Sequence, residues 1–166
     1  MGAVVYGRDF RSRLGRFIHR LIAFVPHMSE DDPIGPDEWL LRRVPNRQPD
    51  YFNPALAVPV ASAAFAPTKY DTDGISFFRE LFVAPETVSM SGTKPPYIVV
   101  RLRSSGIVAL GMTPTATPDK AGLPGHVSLP ELAYIPKPTE GERKRQTGFR
   151  LGLVEIAVAV IVPTAV

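Results

Sequence analysis

Residues 61–79 read ASAAFAPTKYDTDGISFFR. Two short apolar runs flank a polar turn that carries two aspartates and a glycine, and this stretch reads as the centre of one small domain. Asp71-Thr-Asp-Gly74 is a turn signal, because aspartate side chains bond nearby amides and glycine accepts a positive φ. Ile75-Ser-Phe-Phe-Arg79 follows as a strand, with Ile75 and Phe77 on one face and Ser76 and Phe78 on the other. Ala61 to Phe65 is either a short strand or a tight turn into Pro67. As a strand it would pair with 75–79 in a hairpin, across a loop long for that motif.

Outward from this centre, the composition limits the architecture. The chain has 166 residues, one domain by size. A hydrophobic share of 45% fits a globular chain rather than a disordered one. Eighteen prolines are well above the usual ~5%. They imply short elements and many turns, with proline-free room for longer helices at 1–25, 97–113 and 139–162. There is no cysteine, so disulfides, thiolate nucleophiles and Cys-based zinc sites are excluded. The absence is compatible with a reducing cytoplasm, the expected location.

Charge is unevenly distributed. Residues 1–27 carry five arginines against one aspartate, whereas 28–166 carry 14 basic and 15 acidic side chains. The near-neutral body offers no broad footprint for nucleic acid. In 1–27, Phe10, Leu14, Phe17, Leu21 and Phe24 recur at helical spacing, largely apart from the arginines. Three readings stay open for this basic amphipathic extension: a helix that packs on a partner or a membrane, an Arg-rich targeting presequence, or a segment ahead of a true start at Met28. It is not a membrane span, since no uncharged stretch approaches ~20 residues.

In chain order, 28–38 reads as an acidic linker or the entry to the domain, and 39–166 as a single domain. Trp39–Val44 is the first strand, stopped by Pro45. Arg42 and Arg43 then point to opposite faces, so at most one faces a site and the other is solvated. Pro85 with Glu86 opens a brief helix. Tyr97–Arg103 is the clearest strand, and Ser104 caps a turn over 105–110 ending at Gly111. Met112–Thr117 reads as an edge strand because of Pro114. A short strand falls near 126–129. Thr139 and Glu142 form a capping-box pattern ahead of a helix over 140–154, and Ile156–Val162 is the last strand. The fold class is therefore α+β: a small mixed sheet with one or two packed helices.

Few residues suggest chemistry. His126, in a Gly/Pro-rich loop, is the only histidine beyond residue 27 and a candidate general base. Arg43, Ser62, Ser76 and His126 form the candidate catalytic set. Arg42, Arg143, Lys144 and Arg145 are candidate binding residues; the last three lie where a helix begins, a place unfavourable to positive charge unless an anion is bound. Asp71 and Asp73 read as turn chemistry rather than a calcium loop, which needs further acids. No metal or cofactor is expected. Glycine-rich nucleotide loops and the GxSxG elbow are absent.

The motif order Leu40-Leu-Arg-Arg-Val-Pro45, Ala63-Ala-Phe-Ala-Pro67, Asp73-Gly-Ile-Ser76, Ala109-Leu-Gly-Met112 and Pro124-Gly-His-Val-Ser-Leu-Pro-Glu-Leu132 resembles a family of small uncharacterised bacterial proteins. The resemblance spans roughly 39–135 and implies a self-standing domain in which these motifs converge; it supplies no catalytic residue. The order of an arginine on the first strand, then a serine strand, then an acid such as Glu131 is also similar to that of ADP-ribosyltransferases. The Ser-Thr-Ser triplet and Glu-x-Glu pair of those enzymes are missing here. The leading expectation is a cytoplasmic accessory or binding module, with a protein partner in view; the alternative is a small enzyme acting on a nucleotide-type ligand.

Overall fold

A computed structural model describes residues 28–56, 59–120 and 122–163. The expectations for 1–27 lie outside these residues. Six strands form one sheet: β1 (Trp39–Val44), β2 (Ile75–Arg79), β3 (Ile98–Arg103), β4 (Thr115–Ala116), β5 (His126–Leu129) and β6 (Val158–Ile161). Their order across the sheet is β4-β5-β2-β1-β3-β6. Three helices accompany them: α1 (Pro85–Met90), α2 (Ser104–Ala109) and α3 (Glu140–Ile156). The α+β class holds. The sheet differs from the mixed one expected, since every pairing is antiparallel.

Alternation along the strands separates two cores. Leu40, Val44, Ile75, Phe77, Val100, Leu102, Val127 and Leu129 bury one face, under Phe65 and Leu153 of α3. Leu41, Phe78 and Val99 bury a smaller patch on the other face, under Val83 and Val88 of α1. Two-sided burial explains why β3 reads as a continuous apolar run rather than an alternating one.

α3 starts where its sequence says. Thr139 Oγ1 accepts from the Glu142 amide, and Glu142 returns a bond to the Thr139 N–H, which closes the capping box. The carboxyl of Glu142 is held below its usual range by these bonds from Thr139. Gly152 costs helix propensity, but its bare Cα accommodates the Leu110 methyls, one only 2.6 Å from where a Cβ would stand.

The 61–79 stretch folds differently from the hairpin reading. Ser62–Phe65 is a 3-10 turn, not a strand, and it packs against α3. Pro67 explains this, because it removes a ladder donor just where a hairpin strand would have to pair. The aspartate turn is as expected: Asp71 Oδ2 accepts from the amide and the hydroxyl of Thr68. Gly74 adopts φ +111 and sits so close to β5 that a Cβ would lie 2.1 Å from the Leu129 carbonyl oxygen. Only glycine fits there. Likewise 112–117 yields only the two-residue edge strand β4.

Residues 28–38 are docked, not a free linker. Arg79, fully buried at the end of β2, sends Nε and Nη2 to the two carboxylate oxygens of Glu38 at 2.7 and 2.8 Å. Its Nη1 donates to the carbonyls of Glu30 (3.1 Å) and Asp32 (2.9 Å). Glu30 Oε2 in turn accepts from the Gly125 amide at 2.6 Å. One guanidinium thus joins the acidic segment, β2 and the loop before β5.

Removing one member of a buried ion pair leaves the other charge uncompensated. Arg79→Met is therefore expected to destabilise the fold by about 3–5 kcal/mol in urea unfolding, whereas Lys144→Gln, in the exposed pair with Glu140, leaves the midpoint unchanged. Equal midpoints for the Arg79 variant and the parent sequence would show that the 28–38 segment is not anchored this way.

Candidate functional site

The β1–β2 ladder is short. β1 pairs with β3 along all six of its residues, and β2 pairs with β5 over four. β1 and β2 meet only at Leu40↔Arg79 and Leu41↔Phe78. Beyond that point the ladder is replaced by a side chain: Arg42 donates from Nη1 to the Ser76 carbonyl (2.9 Å) and from Nε to the Ala64 carbonyl (3.3 Å). Its guanidinium also lies 5.7 Å from the Phe77 ring centre. Arg42 was expected to be solvated or to bind a ligand. It is instead a structural bracket on the large-core face, because the Ser76 and Ala64 carbonyls need donors that no strand supplies. Burial lowers its pKa to about 10, opposed by Asp71, so it stays charged at neutral pH.

On the opposite face the register assembles a polar patch. Ser76 faces Ser128, and Ser128 faces Thr115. One step along, Phe78 faces His126, with the two rings edge-on at 5.6 Å. Thr117 follows β4 and donates its amide to the His126 carbonyl at 2.9 Å. Its hydroxyl lies 2.7 Å from His126 Nδ1 and 3.2 Å from Ser128 Oγ, forming a chain Ser128–Thr117–His126. Arg43 approaches from β1. Its guanidinium stacks at 5.4 Å over Phe78 and 5.6 Å over Tyr97, and Nη1 donates to Ser91 Oγ at 3.0 Å.

Of these, Arg43, Ser76, His126 and Ser128 line a cleft of about 330 Å³, closed along one side by the 70–74 turn. Lys120 and Asp73 form an ion pair at its rim. The carboxylate of Asp73 is thereby spent on Lys120 and that of Asp71 on Thr68. Arg43 makes no ion pair among the described residues, so its guanidinium is not neutralised by direct contact, while the charged lining as a whole, Arg43 and Lys120 against Asp71 and Asp73, sums to zero. The lining can hold an oxyanion through Arg43, the serine hydroxyls and the histidine. Among the described residues no group of three or more His, Asp or Glu could hold a metal ion.

Arg43, Ser76 and His126, separated by up to 83 positions in the chain, thus share one cleft. Ser62 does not join them: it lies in the 62–65 turn, against α3 on the other side of the sheet. Glu131 is also elsewhere, with Oε1 accepting from the Thr113 amide. The ADP-ribosyltransferase-like arrangement therefore lacks its acid in the cleft. Arg143, Lys144 and Arg145 lie on α3 beyond the large core and split three ways. Arg143 lines a separate groove, Lys144 pairs with Glu140, and Arg145 lies over Phe149.

Ser128, Thr117 and Lys120 were missed. Ser128 was findable, because it is two residues from His126 on a strand and so shares its face. Thr117 and Lys120 sit in a proline-rich loop where no periodicity marks direction. Compared with family models, curated proteins and solved structures, the chain matches none.

Burial pushes the His126 imidazole below its ordinary pKa; a bond to the Thr117 backbone opposes this, and the charges of Lys120 and Arg43 add to it. A histidine with a lowered folded pKa binds fewer protons folded than unfolded. Its contribution is full above the unfolded value of ~6.5 and is lost as pH falls toward the folded one. His126→Gln is therefore expected to narrow the stability gap between about pH 7 and pH 5 in urea unfolding. An unchanged gap would mean that His126 is not buried in its neutral form.

Proposed function

We propose that the chain is a small cytoplasmic accessory domain, of the bacterial kind its motif order suggests, that binds an oxyanion-bearing ligand in the cleft. The observation that carries this reading is the meeting of Arg43, Lys120, His126, Ser76 and Ser128 in one concave site. Its volume lies at the low end of the usual range for small-ligand sites, and its lining is more polar than is usual, which suits a small anion rather than an apolar ligand. The cysteine-free sequence fits a reducing compartment. Among the described residues no helix is long and apolar enough to cross a membrane.

A second reading, a small enzyme acting on a nucleotide-type ligand, is favoured by the Ser128–Thr117–His126 chain. A hydroxyl aligned on a neutral imidazole is the arrangement from which a proton can be abstracted. Against it, no carboxylate among the described residues hydrogen-bonds the His126 ring, although Asp71 and Asp73 line the cleft. The two readings separate through His126→Asn. An enzyme loses turnover of a nucleotide such as ADP while binding persists; a module shows no turnover in either form.

For the leading reading, inorganic phosphate, pyrophosphate and ADP are the probes. A ligand at 100 times its Kd stabilises the fold by about 2.7 kcal/mol, which a thermal melt detects. At least one probe is expected to raise the melting temperature of the parent protein, and Arg43→Gln to abolish that increment whatever its own stability. If no probe shifts the melt, or if Arg43→Gln shifts equally, the oxyanion reading fails.

A further inference from the structure

A second polar concavity lies on the other side of the molecule, outside the cleft. It is a groove of about 270 Å³ between α3 and the chain at 66–67 and 134–135. Arg143, Gln146, Thr147 and Arg150 supply one wall. Their spacing of three, four and seven residues places them on one face of the helix. Pro67, Ile135 and Tyr134 supply the facing, largely apolar wall.

The charges on α3 are unevenly settled. Glu140 is taken by Lys144 at 2.7 Å, and Glu142 by the Thr139 cap. Arg143 and Arg150 make no ion pair among the described residues. Arg150 spends Nη2 on Thr147 Oγ1 at 3.0 Å, while its Nε is buried with no hydrogen-bond partner. That N–H has no surface for an external acceptor, as is also true of Arg101 Nε, so what the groove offers a ligand is the exposed Arg143 guanidinium and the terminal N–H groups of Arg150. Gln146 donates to the Ala133 carbonyl at 2.8 Å, which ties α3 to the facing loop and fixes the groove's width.

We infer that this groove docks an acidic segment of a partner protein, with carboxylates on Arg143 and Arg150 and an apolar side chain between them. Seven helical residues at ~1.5 Å each set the two arginines ~10 Å apart. That separation suits two carboxylates on one segment better than a single oxyanion. The apolar wall of Pro67 and Ile135 gives the segment a seat that a free phosphate has no use for. The guanidinium fork matches carboxylates bidentately. Docking is independent of the cleft on the opposite face of the sheet.

The test is fluorescence anisotropy with the full chain and a labelled ten-residue peptide alternating Glu and Leu, against its Gln-Leu counterpart. The Glu peptide is expected to bind and the Gln peptide to bind more weakly. Arg143→Gln and Arg150→Gln together should weaken the Glu peptide by at least roughly tenfold. Lys144→Gln, one position from Arg143 but paired with Glu140, should change nothing. Arg143 is exposed, so Arg143→Gln alone carries the test if Arg150→Gln fails to fold. Equal binding of both peptides, no binding of either, or an equal loss on Lys144→Gln would overturn the inference. So would displacement of the Glu peptide by millimolar inorganic phosphate in an Arg143-dependent way, which would mark a small-oxyanion site instead.

Discussion

The buried guanidinium of Arg79 is the interaction on which the arrangement of this domain depends. It has no exposed surface, and it meets a carboxylate and two backbone carbonyls from a segment more than 40 residues earlier. A buried charge is tolerable only when paired and fully hydrogen-bonded. Every partner therefore has to be in place at once, and the acidic 28–38 segment loses the freedom of a linker. Glu30 passes the constraint on, because its carboxylate holds the Gly125 amide, one residue before His126. The same residue anchors β5 from the other side, since the Arg79 amide donates to the Gly125 carbonyl at 2.8 Å. The position of the histidine in the cleft is thus set from the far end of β2.

Two arginines bracket β2, and their contrast explains why a cleft exists. At the Arg79 end β1 and β2 are joined by ladder bonds and a buried ion pair. At the Ser76 end the ladder stops and the Arg42 guanidinium takes over the unpaired carbonyl. A side chain bridging two strands from one face leaves the other face with a gap in its backbone pairing, and Arg43, Ser76 and Ser128 line that gap. The cleft is a consequence of a six-stranded sheet whose two halves, β4-β5-β2 and β1-β3-β6, share only two residue pairs. Gly74 completes it by letting the aspartate turn lie directly on β5.

What the sequence made legible was local. The Trp39–Val44, Ile75–Arg79 and 126–129 strands follow from alternation and proline boundaries. The α3 helix follows from its capping box in a long proline-free stretch, 139–162. Opposite facing of Arg42 and Arg43 follows from the strand period alone, and so does the grouping of Arg43 with Ser76 once β1 and β2 are neighbours. The strand order was not legible, because loops rich in proline carry no register. Arg79 read as an ordinary strand end, since two of its partners are backbone carbonyls, which no side-chain pattern announces. Ser62 was misplaced for a related reason. The AAFAP run fits either a strand or a turn into Pro67, and packing under α3 together with that proline settles the turn.

The character of His126 bears on what the cleft does. Catalytic imidazoles that activate a hydroxyl are oriented by a carboxylate, which stabilises the imidazolium as it forms. His126 has different surroundings: burial and, after it, the positive fields of Lys120 and Arg43 disfavour protonation, and only a bond to the Thr117 backbone opposes them. Left empty, such a site is a weak base. An anion bound against Arg43 would cancel part of that field and raise the proton affinity of the ring. By linkage, protonation of the ring would tighten the anion equally. Any catalysis in the cleft would have to draw the carboxylate that His126 lacks among the described residues, or its equivalent negative charge, from the ligand itself.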